Sequence, residues 1–250
     1  MTSTDGENVD GVALVTGSSR GIGRAIAERL GADGMSVVVN YRSDRAAADE
    51  VVAKIEAAGG RATAAQADVT DPAQLRALFD AAEQRFGSLD VLVNNVGTAR
   101  FSPIAEASDD DFDVLFGTNA RATFIALREA ANRLRDGGRI VVISSGVTAM
   151  NRPGTGLYGA AKAAGDQLVR VLAKELGPRR ITVNSVCPGA TRTDALAAIQ
   201  PESVIERMAA ETPLGRIAEP GDIADIAAFL ASDDSRWVTG QVIHAGGGTF

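Results

Sequence analysis

The chain alternates short runs of apolar and β-branched residues with longer stretches in which apolar positions recur every three or four residues. Val12–Thr16, Ser36–Asn40, Arg61–Gln66, Val91–Asn94, Arg139–Ser144, Ile181–Val186 and Gln241–His244 read as strands. Val37 to Val39 and Ile140 to Ile143 are apolar at consecutive positions, the mark of strands covered on both faces. Between the strands the spacing turns helical. Phe112, Leu115, Phe116, Ala120, Thr123, Phe124 and Leu127 share one face of a helix that Asp109–Asp111 would open with favourable charge. Asp71-Pro72 has the form of an N-cap followed by proline in the first turn. Strands alternating with helices imply right-handed crossovers and a seven-stranded parallel sheet with helices on both faces, a doubly wound α/β fold. Ligands of such sheets bind beyond the carboxyl ends of the strands.

Composition narrows the classes. With 250 residues, 45% of them hydrophobic, the chain can bury a core without disulfide or metal staples. No Pro/Gly/Ser-rich linker divides it, so residues 11–250 read as one domain behind a polar, frayed tail at 1–10 that lacks the features of a signal peptide. Acidic residues outnumber basic ones by 32 to 25 and the net charge is −7, which disfavours a nucleic-acid partner. No apolar run approaches the roughly 20 residues that span a bilayer. The single cysteine, Cys187, suits a reducing cytoplasm and is expected to be buried. The only histidine, His244, is expected to pack or to lie at an interface, and there is no Cys/His cluster for a metal.

Two stretches carry chemistry. Gly17, Gly21 and Gly23, with Ser19, Arg20 and Ile22 between them, follow the first strand and open the first helix. Glycines there let the backbone approach a pyrophosphate, and the helix N-terminus offers free N–H groups to its charge. At the end of the second strand, where an acidic residue would bind the ribose 2′-OH of NAD, stand Asn40, Tyr41 and Arg42. Arg42 and Arg20 favour the 2′-phosphate of NADP, with Asp44 close by as the argument for NAD. The second stretch pairs Tyr158 with Lys162. One helical turn apart, they project from the same face. A cation beside a phenol favours its ionised form and moves it toward the working range of an acid–base group. Ser144 and Ser145 end an apolar run just upstream.

These elements, in this order, resemble the short-chain dehydrogenase/reductase family from about Val12 onward. Thr16–Gly23 resembles its cofactor loop, Asn94-Asn95-Val96-Gly97 its Asn-Asn-Ala-Gly element and Tyr158–Lys162 its catalytic pair. Pro188-Gly189 with Thr193, and Pro213-Leu214-Gly215-Arg216, match it as well. The resemblance implies a Rossmann-type fold, NADP(H) as cofactor and a catalytic tetrad of Asn119, Ser145, Tyr158 and Lys162. Tyr158 would exchange a proton with the substrate oxygen. Lys162 would lower the phenol pKa and hold the nicotinamide ribose, Ser145 would hydrogen-bond the substrate oxygen, and Asn119 would hold a relay water. Ser145 is preferred to Ser144 because the family's offset to the tyrosine lands on it. The same resemblance assigns Asp68 and Val69 to the adenine and Asn95 and Gly97 to the cofactor cleft. Pro188, Gly189, Thr191 and Thr193 fall near the nicotinamide and phosphates. Val96 in place of alanine, and Gly246 where the family often has aspartate, depart from its pattern without touching the proposed chemistry.

Substrate recognition is expected from the variable segment at about 190–212 and from loops offering Thr98, Arg100, Val147, Asn151 and Leu157. The lining carries little charge apart from Arg100 and Arg152, which suits a neutral ketone or secondary alcohol. The pattern is similar to the branch that holds the bacterial 3-oxoacyl-[acyl-carrier-protein] reductases, where Arg179 and Arg180 could form part of a docking patch. A general NADPH-dependent ketoreductase ranks first and the carrier-protein reductase second. A protein that keeps the fold as a cofactor sensor or scaffold is the reading from another class. The resemblance implies a homotetramer or homodimer, and small alanines on the helix carrying Tyr158 would permit close packing.

Overall fold

In the computed structural model, which describes residues 11–250, seven strands form one sheet. They are β1 (Val12–Val15), β2 (Ser36–Tyr41), β3 (Arg61–Gln66), β4 (Val91–Asn94), β5 (Arg139–Ile143), β6 (Thr182–Pro188) and β7 (Val242–Ala245). Their order is β3-β2-β1-β4-β5-β6-β7 and every pairing is parallel. All seven expected strands are present, each within two residues of the expected bounds. The reading of residues 1–10 as a frayed tail lies outside the described residues.

Ten helices connect the strands: α1 (Gly21–Ala32), α2 (Arg45–Ala57), α3 (Pro72–Phe86), α4 (Asp109–Leu115), α5 (Ala122–Arg133), α6 (Val147–Met150), α7 (Gly156–Glu175), α8 (Asp194–Ile199), α9 (Glu202–Glu211) and α10 (Pro220–Ala231). Local sequence sets many of their ends. Asp71 accepts hydrogen bonds from the Ala73 and Gln74 amides with Pro72 in the first turn of α3. Ser108 and Asp111 close a reciprocal capping box at α4. One core layer packs Leu75, Phe79, Ile125 and Val169 against one face of the sheet. The other packs Ile26, Leu30, Val51, Ile55, Ile223 and Leu230 against the opposite face. Each such side chain stabilises the fold by about 1.5–3 kcal/mol on burial. The central strands β1, β2, β4, β5 and β6 are therefore buried along their whole length.

One element departs from expectation. The helix expected to run unbroken through Phe112–Leu127 is two helices joined by a wider π-helical stretch, Phe116–Arg121. Asn119 lies in that stretch and is buried. Among the described residues no helix is long and apolar enough to cross a membrane.

Candidate active site

Strand order reverses between β1 and β4, and the loops leaving β1, β4, β5 and β6 converge beyond that point. The glycine loop leaves β1 there. Gly17 and Gly21 take left-handed φ angles of 60° and 58°, which only glycine adopts without strain. A Cβ on Gly23 would stand 2.5 Å from Asn95 Nδ2 and 3.0 Å from Ser18 Cα. The helix α1 starts on Arg20 with no side-chain cap and no acidic residue in its first turn. Its leading N–H groups, beside Ser19 and Ile22, are left for an external anion. This cradle fits the pyrophosphate of a dinucleotide.

Some residues expected to touch a cofactor brace the cradle instead. Asn40 is buried; its Oδ1 accepts from the Gly17 amide at 2.9 Å and its Nδ2 donates to the Ala65 and Ala67 carbonyls at 3.2 Å. Asn95 Nδ2 donates to the Thr16 and Gly17 carbonyls at 3.1 Å. Tyr41 and the Val69 side chain are buried in the two core layers. The cause is shared: strand ends covered on both faces leave no room for side chains to swing into the cleft. Asp68 Oδ1 is held by the amide and hydroxyl of Thr70. Arg20 and Arg42 are exposed and form no ion pair among the described residues. Asp44, the carboxylate that argued for NAD, caps α2 by accepting from the Ala47 amide. Beyond β6, Gly189 is bonded to the Ala245 carbonyl, while the buried Thr191 donates to the Gly189 carbonyl at 3.1 Å. Thr193 caps α8 and brings its methyl against Gly21, so the variable segment folds back over the glycine loop.

The four tetrad candidates come together beside this cradle. Tyr158 and Lys162 sit one turn apart on α7. Lys162 is buried, and its Nζ donates to the Ile143 carbonyl at 3.0 Å. Gly97 lies so close that a Cβ on it would stand 2.7 Å from Lys162 Nζ and 2.9 Å from Asn119 Oδ1. Asn119 Nδ2 donates to the Leu115 and Thr98 carbonyls, both at 2.9 Å, and its Oδ1 accepts from the Thr98 amide at 3.1 Å. Ser145 is half-buried and hydrogen-bonds toward the Tyr158 phenol. Ser144 is buried, finds no nitrogen or oxygen partner, and is turned toward the Cys187 thiol. The serine exposed to the cleft is thus Ser145.

The electrostatics differ from expectation in one respect. Burial pushes the Tyr158 phenol above its ordinary value, and it is the Ser145 hydrogen bond that pulls it down; Lys162 is not among the groups acting on it. Lys162 is directed at the Ile143 carbonyl, and burial pushes it down to about 8 while the nearby Asp166 carboxylate acts in the opposite direction. Asp166, buried one turn beyond Lys162, accepts from Ser185 Oγ at 2.7 Å. Burial also pushes the Cys187 thiol up, in keeping with its packing role.

On the substrate side Val147 is half-buried, and Asn151 is exposed in a left-handed conformation at the end of α6. Sequence reasoning missed Phe101, whose ring meets that of Tyr158 edge-on at 5.7 Å, and the exposed Ile104 packed on Gly156. An aromatic residue in the loop after β4 was their only sequence signal. Arg100 is paired with Asp110 and Asp111, and Arg152 faces Glu211 at 3.6 Å. His244 is exposed, with its ring 5.3 Å from that of Phe250. Both departures from the expected pattern touch the site after all. Val96 Cγ2 would lie 2.8 Å from a Cβ on Gly17, and Gly246 packs against the Phe250 ring.

Comparison with known proteins gives a consistent family. A family model described as enoyl-(acyl carrier protein) reductase matches residues 17–249. An uncharacterized oxidoreductase of Methylorubrum extorquens is 48% identical over 239 residues, covering 95% of this chain and 96% of that protein. Versicolorin reductase of Emericella nidulans is 41% identical over 263 residues, covering both chains completely. The landomycin C-6 ketoreductase LanV, solved with bound NADP and rabelomycin, is 41% identical with a TM-score of 0.89, covering 97% of each chain.

Proposed function

The chain belongs to the short-chain dehydrogenase/reductase family, and from that premise we propose that it is an NADP(H)-dependent ketoreductase acting on an uncharged ketone or the matching secondary alcohol. One observation carries the reading: Ser145, Tyr158, Lys162 and Asn119 converge beside a glycine cradle built for a pyrophosphate.

Bound NADPH would supply the hydride. The chain does the rest. Tyr158 gives its phenolic proton to the carbonyl oxygen, and Ser145 donates a hydrogen bond to the same oxygen as negative charge develops there. Burial keeps the phenol protonated at neutral pH, the form that reduction consumes. Lys162 keeps a cation behind the phenol, and Asn119 fixes the Thr98 backbone at the wall of the path by which a proton returns. Arg20 and Arg42, exposed and unpaired, suit the 2′-phosphate that distinguishes NADP.

Charge supports an uncharged substrate. Arg100 and Arg152, the cations nearest the cleft, are met by carboxylates, while Phe101 and Ile104 present apolar surface beside Tyr158. Carrier-protein docking is less well supported, because Arg179 is tied to Asp136 and to the Ala131 and Leu134 carbonyls. Two separate apolar patches support a tetramer: Phe112, Phe124 and Val171 on the α4, α5 and α7 side, and Phe229 with Trp237 near β7.

The test is NADPH consumption with a panel of neutral ketones, with Tyr158→Phe as control. Turnover in the parent that disappears in a folded Tyr158→Phe protein supports the reading. Turnover that survives the substitution overturns it.

A further inference from the structure

Beyond β7 the chain reverses on itself. Gly247 and Gly248 take left-handed φ angles of 61° and 90°, and the Thr249 amide and hydroxyl bond back to the Gly246 carbonyl at 3.1 and 2.8 Å. The reversal returns Phe250 to the end of its own strand. There its ring fills the space that side chains would otherwise take on two glycines at once. A Cβ on Gly146 or on Gly246 would collide with the ring edge. Gly189 joins the same stack, since a Cβ on it would stand 3.0 Å from Gly246 Cα. The ends of β5, β6 and β7 thus meet around one aromatic ring, with only backbone between them.

Gly146 follows Ser145 directly. The Ser145–Gly146 turn is tied to β6 on one side, through the Ser144 amide to the Val186 carbonyl at 2.7 Å and the Gly146 amide to the Pro188 carbonyl at 2.8 Å. On the other side it rests on Phe250. The Ser145 hydroxyl has little else to anchor it: the Val147 amide reaches it at 3.4 Å, a long bond. Its place therefore depends on where the backbone of the turn sits. We propose that Phe250 is a positioning residue for carbonyl reduction, its ring wedged against Gly146 and Gly246 so as to hold the Ser145 hydroxyl over the substrate oxygen. Glycine at 246 is then a requirement of the ring, and a side chain there would unseat it.

The proposal rests on the ketoreductase reading, and its test separates the two. Phe250→Ala should lower kcat for a ketone about tenfold, short of the hundredfold or more expected when an oxyanion donor is lost outright. KM for NADPH should stay within about twofold, since the ring does not touch the glycine cradle, and Phe250→Leu should restore most of kcat. In Phe250→Ala the Ser145→Ala substitution should add almost nothing, because effects that act through one group do not multiply. Full multiplication of the two effects, or an unchanged kcat in Phe250→Ala, overturns the proposal. A readout without turnover stands beside these. Hydrogen exchange of the Gly146 amide should quicken in Phe250→Ala; unchanged protection sinks the wedge even if the parent reduces no ketone at all, a result that would itself count only against the ketoreductase reading.

Discussion

Asn119 pairs with Thr98 as one strand residue pairs with another: its side-chain amide donates to the Thr98 carbonyl and accepts from the Thr98 amide, at 2.9 and 3.1 Å. A helix residue thereby fixes the backbone of the loop that follows β4, immediately after Gly97, the glycine closest to Lys162 Nζ. Replacing Asn119 with alanine removes both bonds and strands two backbone groups. Equilibrium unfolding should show a loss of about 1–3 kcal/mol. The kcat for ketone reduction should fall at least about tenfold, because Lys162 and Gly97 lose their common support.

Tyr158→Phe removes the proton and leaves the ring contact with Phe101 intact. General acid catalysis contributes about 10²–10⁴-fold, and steady-state kcat should fall by that amount. NADPH binding, followed by nicotinamide fluorescence, should change little.

The pH profile should report Lys162. Burial has lowered this lysine to about 8, and Asp166 opposes the shift. As pH rises through that value the ammonium loses its proton and the support it lends to Tyr158, so reduction should weaken on the alkaline side. Removing the Asp166 charge leaves burial unopposed and drives the lysine lower. In Asp166→Asn the alkaline limb of kcat should therefore move to lower pH. A limb that stays put or moves to higher pH contradicts the assignment.

Cofactor selection should reside in two exposed cations. Arg20→Ala and Arg42→Ala should each raise KM for NADPH about tenfold or more, the size of a lost charged hydrogen bond, while KM for NADH stays within about twofold. Equal sensitivity of both cofactors would move the selection elsewhere.

Acid stability offers a check away from the cleft. Arg100, with the Ser108 amide and hydroxyl, holds Asp111 down to about 2. A carboxyl lowered on folding stabilises the protein above its ordinary value and loses that contribution as pH falls toward the lowered one. Asp111→Asn should therefore be less stable than the parent at pH 7, and the gap should close near pH 2.

The sheet was legible because buried parallel strands write their burial directly into the sequence. Val37–Val39 and Ile140–Ile143 have no polar position to spare, and the strands fell within two residues of their places. The glycine loop and the spacing of Tyr158 and Lys162 were legible because backbone approach and helical geometry act locally. What was missed depends on contacts between distant segments. Asn40 and Asn95 carry the residue types of a ligand site, yet their amides turn inward to the glycine loop. Phe101 meets Tyr158 only because the loop after β4 folds across α7. The widening of the helix at Phe116–Arg121 is likewise set by the bond between Asn119 and Thr98, which apolar spacing does not encode.

That π-helical stretch behaves as a single surplus residue inserted into an otherwise regular helix. Deleting one residue between Phe116 and Arg121 would let α4 and α5 fuse into one uniform rod, an improvement by any measure of helical regularity. It would also rotate the two halves relative to each other by about 100°, the angular step of one helical residue. Asn119 could then no longer face Thr98 while Phe124 and Leu127 kept their present sides. A redesign that straightened this helix for thermostability would preserve the fold and disconnect the catalytic lysine from its neighbour.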